Sequence, residues 1–166
     1  ASALCMDKDL FKAVLRDRGI PVAPNVTLRT GDPVENPFGY PVFVKPAHEG
    51  STLGITKVRT AADLAPAVAF AATFDPLVIV EEFVEGHEGF YDTLAIDGRP
   101  VHEFVAHYFP SVLEALDDRR VAPQIAVTNR VDAAGYAELR TMGRRVLEVL
   151  GIGTSATHME WFFGPK

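Results

Sequence analysis

One cysteine, Cys5, in 166 residues gives the chain no intramolecular disulfide framework and fits a reducing compartment. Positive charge is also scarce. Sixteen Lys and Arg against 22 Asp and Glu leave a formal net charge of -6, which argues against nucleic acid or an anionic membrane, both held by clustered cations. No apolar run approaches the roughly 20 residues of a membrane helix. The opening ASALCMDKDL lacks the basic-then-apolar order of a signal peptide. The expectation is a soluble cytoplasmic protein with no nucleic-acid or membrane partner. Neither Gly-x-x-x-x-Gly-Lys-Ser/Thr nor Gly-x-Gly-x-x-Gly occurs, so two common phosphate-binding fingerprints are absent.

Hydrophobic residues make up 48% of the chain, enough for one core or for two small lobes. Leu10, Phe11, Val14 and Leu15 recur at helical spacing and predict a helix from Lys8 to about Asp17, with Asp7 as its N-cap. Short strands are predicted at 26–28 and 41–45, the latter returning at 55–58 after a loop over 48–54. Thr60 and Asp63 resemble a capping pair at the head of an alanine-rich helix that ends near Ala72. A β-branched strand follows at 77–81. Strands at 90–96 and 101–108 flank Asp97-Gly98, a hairpin turn signal. Ser111 to Arg120 reads as an exposed loop or short helix. A strand at 126–128 precedes a helix capped by Asp132 and running to about Leu150, with Leu139, Met142, Val146 and Leu150 as its apolar stripe. The last strand spans about 156–163, with Met159, Trp161 and Phe163 facing the core. Hairpins alternating with helices favour an α+β fold of two lobes, 1–80 and 81–166, over a doubly wound parallel sheet. The apolar final strand, followed by a turn, suggests a core cut from a longer chain.

Several residues stand where a structural role alone would not put them. Lys45 ends the apolar strand Val42-Phe43-Val44-Lys45-Pro46, either snorkelling to water or reaching an anion. Gly50, Ser51 and Thr52 in the next loop offer amides and hydroxyls to phosphate oxygens, or form an ordinary hairpin loop. Lys8 sits in the first turn of a helix, where the macrodipole disfavours a cation unless an anion binds there too. In Val80-Glu81-Glu82-Phe83-Val84-Glu85-Gly86-His87-Glu88, backbone groups suit a base edge and Glu88 suits ribose hydroxyls; an acidic surface turn is the plainer alternative. Glu160 shares a strand face with His158 and Phe162 and is either solvated or a magnesium ligand, since magnesium beside phosphates needs only one or two carboxylates. His158 reads better as a satisfied, partly buried histidine than as a ligand or base.

The order of these motifs, from Asp7-Lys8 through Val44-Lys45-Pro46 and Val80-Glu81-Glu82-Phe83 to His158-Met159-Glu160, resembles the ATP-grasp superfamily of carboxylate ligases. The nearest likeness is to the group containing carbamoyl phosphate synthetase and biotin carboxylase. The resemblance implies two α+β lobes with nucleotide between them. Lys8 and Lys45 would bind the phosphates of ATP under a lid formed by the 48–54 loop. Glu81, with the backbone of Glu82 and Phe83, would hold adenine, Glu88 the ribose and Glu160 Mg2+. It implies an ATP-dependent carboxylate–amine ligase acting on small molecules through an acylphosphate; a non-catalytic nucleotide-binding module and an ATP-grasp phosphotransferase are the alternatives. No catalytic residue is assigned. The family's second metal-binding acid, expected after Glu160, falls beyond the chain.

Overall fold

The computed structural model describes residues 2–50, 52–117, 120–122 and 124–164. The chain divides into two compact units, Ala1–Phe83 and Val84–Lys166.

In the first unit a short helix, α1 (Ser2–Met6), leads into α2 (Lys8–Asp17). The carboxylate of Asp7 caps α2 by accepting from the amides of Asp9 (3.1 Å) and Leu10 (3.0 Å), which satisfies two of the donors every helix start leaves open. Gly19, at φ +68°, follows the helix end. Four strands then form an antiparallel sheet: β1 (Asn25–Arg29), β2 (Val42–Pro46), β3 (Thr56–Val58) and β4 (Leu77–Glu82), in the order β1-β4-β2-β3. Helix α3 (Ala61–Ala71) connects β3 to β4. Period-two alternation divides the sheet cleanly. Val42, Val44, Val58, Val78 and Val80 join Leu28 and the α3 residues Leu64, Ala67 and Ala71 in one buried core. Phe43, Lys45, Ile79 and Glu81 therefore project from the opposite face. Thr60 does precede α3, but its hydroxyl donates to the Asp63 carboxylate (2.6 Å) and makes no bond to the helix backbone. The expected capping box is replaced by a side-chain pair.

The second unit is another antiparallel sheet, ordered β7-β6-β5-β8. Its strands are β5 (His87–Ile96), β6 (Arg99–Phe109), β7 (Gln124–Thr128) and β8 (Ser155–Phe163); a one-and-a-half-turn helix, α4 (Val112–Asp117), lies between β6 and β7. Asp97 (φ +50°) and Gly98 (φ +78°) turn β5 into β6, both in the left-handed region that this dipeptide favours. Helix α5 (Ala137–Val149) packs Gly143, Val146 and Leu147 toward one face of the sheet, against β5. It begins four residues later than predicted, with Tyr136 in the N-cap position expected of Asp132. A 3-10 turn at Ala134–Tyr136 precedes it, and Asp132 pairs with Arg140 (2.6 Å) instead of capping. Met159 and Trp161 are half-buried as expected, whereas Phe163 is 77% exposed, so the core side of β8 ends one alternation earlier than the sequence pattern indicated.

Candidate functional site

On the face of the first sheet opposite the core, two lysines meet one carboxylate and a third lies nearby. Register places Glu81 of β4 opposite Phe43 of β2, one step from Lys45. Lys45 Nζ lies 2.7 Å from Glu81 Oε1. Lys12, on the inner side of α2, pairs with Glu81 Oε2 and donates to the Ala23 carbonyl (3.0 Å). Lys8, one turn earlier on α2, donates through Nζ to the carbonyls of Ala47 (3.2 Å) and Glu49, and its own amide donates to Ala47 as well. The start of α2 is thus tied to the chain that leaves β2.

Charge does not balance here. Lys12 and Lys45 share the single negative charge of Glu81, while the nearby Lys8 is offset in part by Asp75 and Glu49. Burial pulls the Lys8 ammonium below its ordinary pKa, and the neighbouring Lys45 adds to that. Burial lowers Lys12 as well, with Glu81 opposing the shift. Burial would raise Glu81, but Lys45 and Lys12 overcome it and hold the carboxyl ionised below its usual range. A partly buried cationic excess of this kind is relieved by a multivalent anion.

The loop after β2 is shaped by backbone. Leu53 N–H donates to Gly50 (3.1 Å) and Ile55 N–H to Thr52 (3.2 Å); Thr52 (φ +62°) and Gly54 (φ +72°) are left-handed. Gly54 must be glycine for a second reason: a Cβ would lie 2.7 Å from Pro46 Cγ and 2.9 Å from the Phe74 ring. Ser51 lies outside the described residues. His48 fastens the loop's root, with both its amide (2.8 Å) and Nδ1 (2.7 Å) on Asp75 Oδ2 and with Nε2 3.4 Å from Asp7. At the end of β4 the Glu82 amide is already given to the Pro24 carbonyl (2.9 Å). Beside it, the Phe83 ring meets Phe43 at 5.3 Å and carries the Lys57 ammonium 3.6 Å above its centroid, a cation–π contact.

In the second unit, α5 lies against one sheet face. Glu88, Phe90, Asp92, His158, Glu160 and Phe162 share the opposite face by register, with Glu88 only 8% exposed. Glu88 lies within β5, not in a turn, and accepts from the Val112 amide (2.9 Å). Burial raises its pKa against that hydrogen bond, and Glu160 and Glu114 raise it further. Burial likewise raises Tyr108, helped by Glu160, Glu88 and Asp92. His158 is 52% exposed in its side chain, bonds Asp92 through Nδ1 (2.7 Å) and stacks near Phe90 (4.9 Å). It is satisfied, as expected, but more exposed than expected.

Sequence reasoning missed two groups. Lys12 was overlooked, although it falls four residues after Lys8 on the buried side of the helix; its only signal was a lysine interrupting an apolar stripe. The clamp formed by Glu103 with Arg140, Arg144 and Tyr91 had no signal at all, because its members lie up to 53 residues apart and meet only when α5 docks.

Two antiparallel sheets, each helix-covered on one face and carrying ionisable groups on the other, define an ATP-grasp core, in keeping with the motif order. The sequence profile of the family described as "D-ala D-ala ligase C-terminus" matches residues 14–156, and the chain belongs to that family. This narrows the superfamily to a family that the motifs alone did not single out. The D-alanine–D-alanine ligase of Geobacter sulfurreducens is 36% identical over 160 residues, covering 84% of this chain and 51% of that protein. The corresponding ligase of Sodalis glossinidius is 48% identical over 94 residues, covering 52% of this chain and 26% of that protein. Among solved structures, a D-alanine–D-alanine ligase from Bacillus anthracis superimposes with a TM-score of 0.76 at 19% identity, covering 99% of this chain and 54% of that one. The VanG D-Ala:D-Ser ligase of Enterococcus faecalis gives 0.70 at 27% identity, covering 99% and 50%. The chain spans about half or less of these relatives.

Proposed function

We propose that this chain is the nucleotide-binding part of an ATP- and Mg2+-dependent ligase that joins the carboxylate of one small molecule to the amine of another through an acylphosphate. The observation that carries the reading is the pairing of both Lys12 and Lys45 with the one carboxylate of Glu81, with Lys8 close by, an arrangement of ammoniums that suits a polyphosphate. Family membership and relatives named as ligases of D-alanine with D-alanine or D-serine support amino acids as the substrate class. The use of ATP supports a cytoplasmic setting. Among the described residues no helix is long and apolar enough to cross a membrane.

In this reading the first unit binds the triphosphate. Lys8 and Lys45 contribute charge, and the amides near Gly50 and Thr52 contribute directional donors. Glu81, the Glu82 carbonyl and the Phe83 backbone face the base, which the Phe43–Phe83 pair can flank with apolar surface. The second unit supplies Glu88 for the ribose and Glu160 for the metal.

Its donor set suits magnesium. The face that Glu88 shares with Glu160 offers hard carboxylate oxygens; burial first and the charge of Glu160 next raise Glu88, and a cation there would offset both. Among the described residues no group of three His, Cys, Asp or Glu forms a complete cage, and none is required where phosphates and water complete the shell. When bound, the ion neutralises phosphate charge as the phosphoryl group moves to the carboxylate. The lysines hold the phosphate chain in place for that transfer, so the chain's contribution is positioning and electrostatic stabilisation. The amine then displaces phosphate from the acylphosphate and the amide bond forms.

Calorimetric titration with MgATP tests the reading. Lys45→Ala should weaken binding by about tenfold or more, the worth of a charge-assisted hydrogen bond. Unchanged affinity in that variant would overturn it.

A further inference from the structure

Lys12 is only 8% exposed and Glu81 only 7%. Its ammonium is spent on two neighbours, Glu81 Oε2 and the Ala23 carbonyl, so it does not reach a ligand on the sheet face. Nor does Glu81 need it for charge balance, because Lys45 alone already neutralises the carboxylate at 2.7 Å. A second buried lysine adds desolvation cost, and buried ion pairs seldom repay that cost in stability. Lys12 is therefore redundant for holding Glu81 and unfavourable for burial, yet the fold directs it there from the inner side of α2.

We propose that Lys12 is a positioning residue of the nucleotide site: by occupying Oε2 of Glu81 it prevents that carboxylate from fully compensating Lys45, and so leaves the Lys45 ammonium available to a ligand phosphate. One negative charge shared between two ammoniums leaves about half of each uncompensated. Without Lys12, the Lys45–Glu81 pair is neutral, and an approaching phosphate meets a carboxylate behind a spent cation. The two oxygens make the division geometric, with Lys45 on Oε1 and Lys12 on Oε2. Lys12 acts through Glu81 and not by contact.

This inference rests on the reading of Lys45 as a phosphate ligand, and a double-mutant cycle separates the two. MgATP and adenosine are titrated calorimetrically into the wild-type protein and into Lys12→Met, Glu81→Gln, Lys12→Met/Glu81→Gln and Lys45→Ala. Lys12→Met should weaken MgATP by about tenfold, the size of coupling expected between contacting charges, while adenosine binding stays within about twofold of wild type. With Glu81 already neutral, the same substitution should cost MgATP less than about twofold. Should Lys12→Met fail to fold, the comparison of Glu81→Gln with the double variant still decides, because the double variant removes the buried Lys12 ammonium together with the carboxylate it pairs with. A tenfold loss in the Glu81→Gln background would show direct phosphate contact and overturn the inference. So would an equal loss of ATP and adenosine, which marks a purely structural lysine, or no loss at all. An inert Lys45→Ala would instead overturn the nucleotide reading beneath it.

Discussion

The ring of Tyr91 fills the space that a side chain at Gly143 would need: a Cβ there would sit 2.6 Å from Tyr91 Cδ1. Tyr91 is 1% exposed, at the centre of the second unit, and α5 reaches the sheet closely because position 143 has no side chain. Gly143→Ala should therefore destabilise the protein although alanine favours helices. The helical gain is about 1 kcal/mol and the overpacking cost about 1–3 kcal/mol. A melting temperature lowered by about 3 °C or more is the expected readout; a rise would show that α5 docks without that ring.

Glu103 gathers the Tyr91 hydroxyl, Arg140 Nη2 (2.9 Å) and Arg144 Nη2 (2.7 Å). Burial works to raise its pKa, but hydrogen bonds from Arg144, Arg140 and Tyr91 bring it from 4.5 down to about 2. Because the folded value is depressed, its stabilisation is complete above the unfolded value and drains away as the pH falls from 4.5 toward about 2. Glu103→Gln should be less stable at pH 7 and should show a flatter stability profile across that acid window, measured by denaturant titration at each pH. Parallel profiles for the two proteins would contradict the clamp.

His48 has the opposite sign. Its hydrogen bond to Asp75 raises its pKa above 6.5, and the charges of Asp75 and Asp7 add to the effect against burial. The contribution is present in full below pH 6.5 and is lost as the pH climbs through the raised folded value. His48→Gln should remove this loss, so the gap between wild type and variant narrows from pH 6 to pH 8.5. Half-exposure of the ring keeps the change small. Asp75 retains the amides of His48 and Leu77 in the variant, so the loop root stays attached.

Asp7→Ala removes the α2 cap and should cost about 1 kcal/mol. Asp7→Asn, which keeps an acceptor for the Asp9 and Leu10 amides, should recover most of it. Because α2 carries Lys8 and Lys12, the alanine variant should also bind MgATP more weakly, and calorimetry beside thermal melting separates the two effects.

Much of the fold was legible wherever a local rule had no rival. Asp7 before an amphipathic run gave α2 to the residue, and Asp97-Gly98 gave the hairpin, since each is fixed by backbone geometry that few residues satisfy. Asp132 misled because a capping carboxylate and an ion-pair carboxylate look alike in sequence; Arg140, eight residues on, claimed it. Phe163 misled because alternation states which side a residue faces, not whether anything covers that side. In the site, Lys45, Glu81 and Glu88 were visible as charges in apolar strands. The pairing of Lys45 with Glu81, the taken amide of Glu82 and the role of Lys12 were not, because each depends on the β2–β4 register or on how α2 docks.

The Asp97-Gly98 turn has one more contact. Its Gly98 amide donates to the Gly153 carbonyl (3.0 Å) and its Asp97 amide to the Thr154 hydroxyl (3.1 Å), so the hairpin tip and the α5–β8 connection are joined as one. Such a surface turn would ordinarily be the place to open the chain, for a circular permutation or an inserted tag. Here a cut at either turn would disturb the other, and the entry of β8 with it. New termini are better sought elsewhere in the unit.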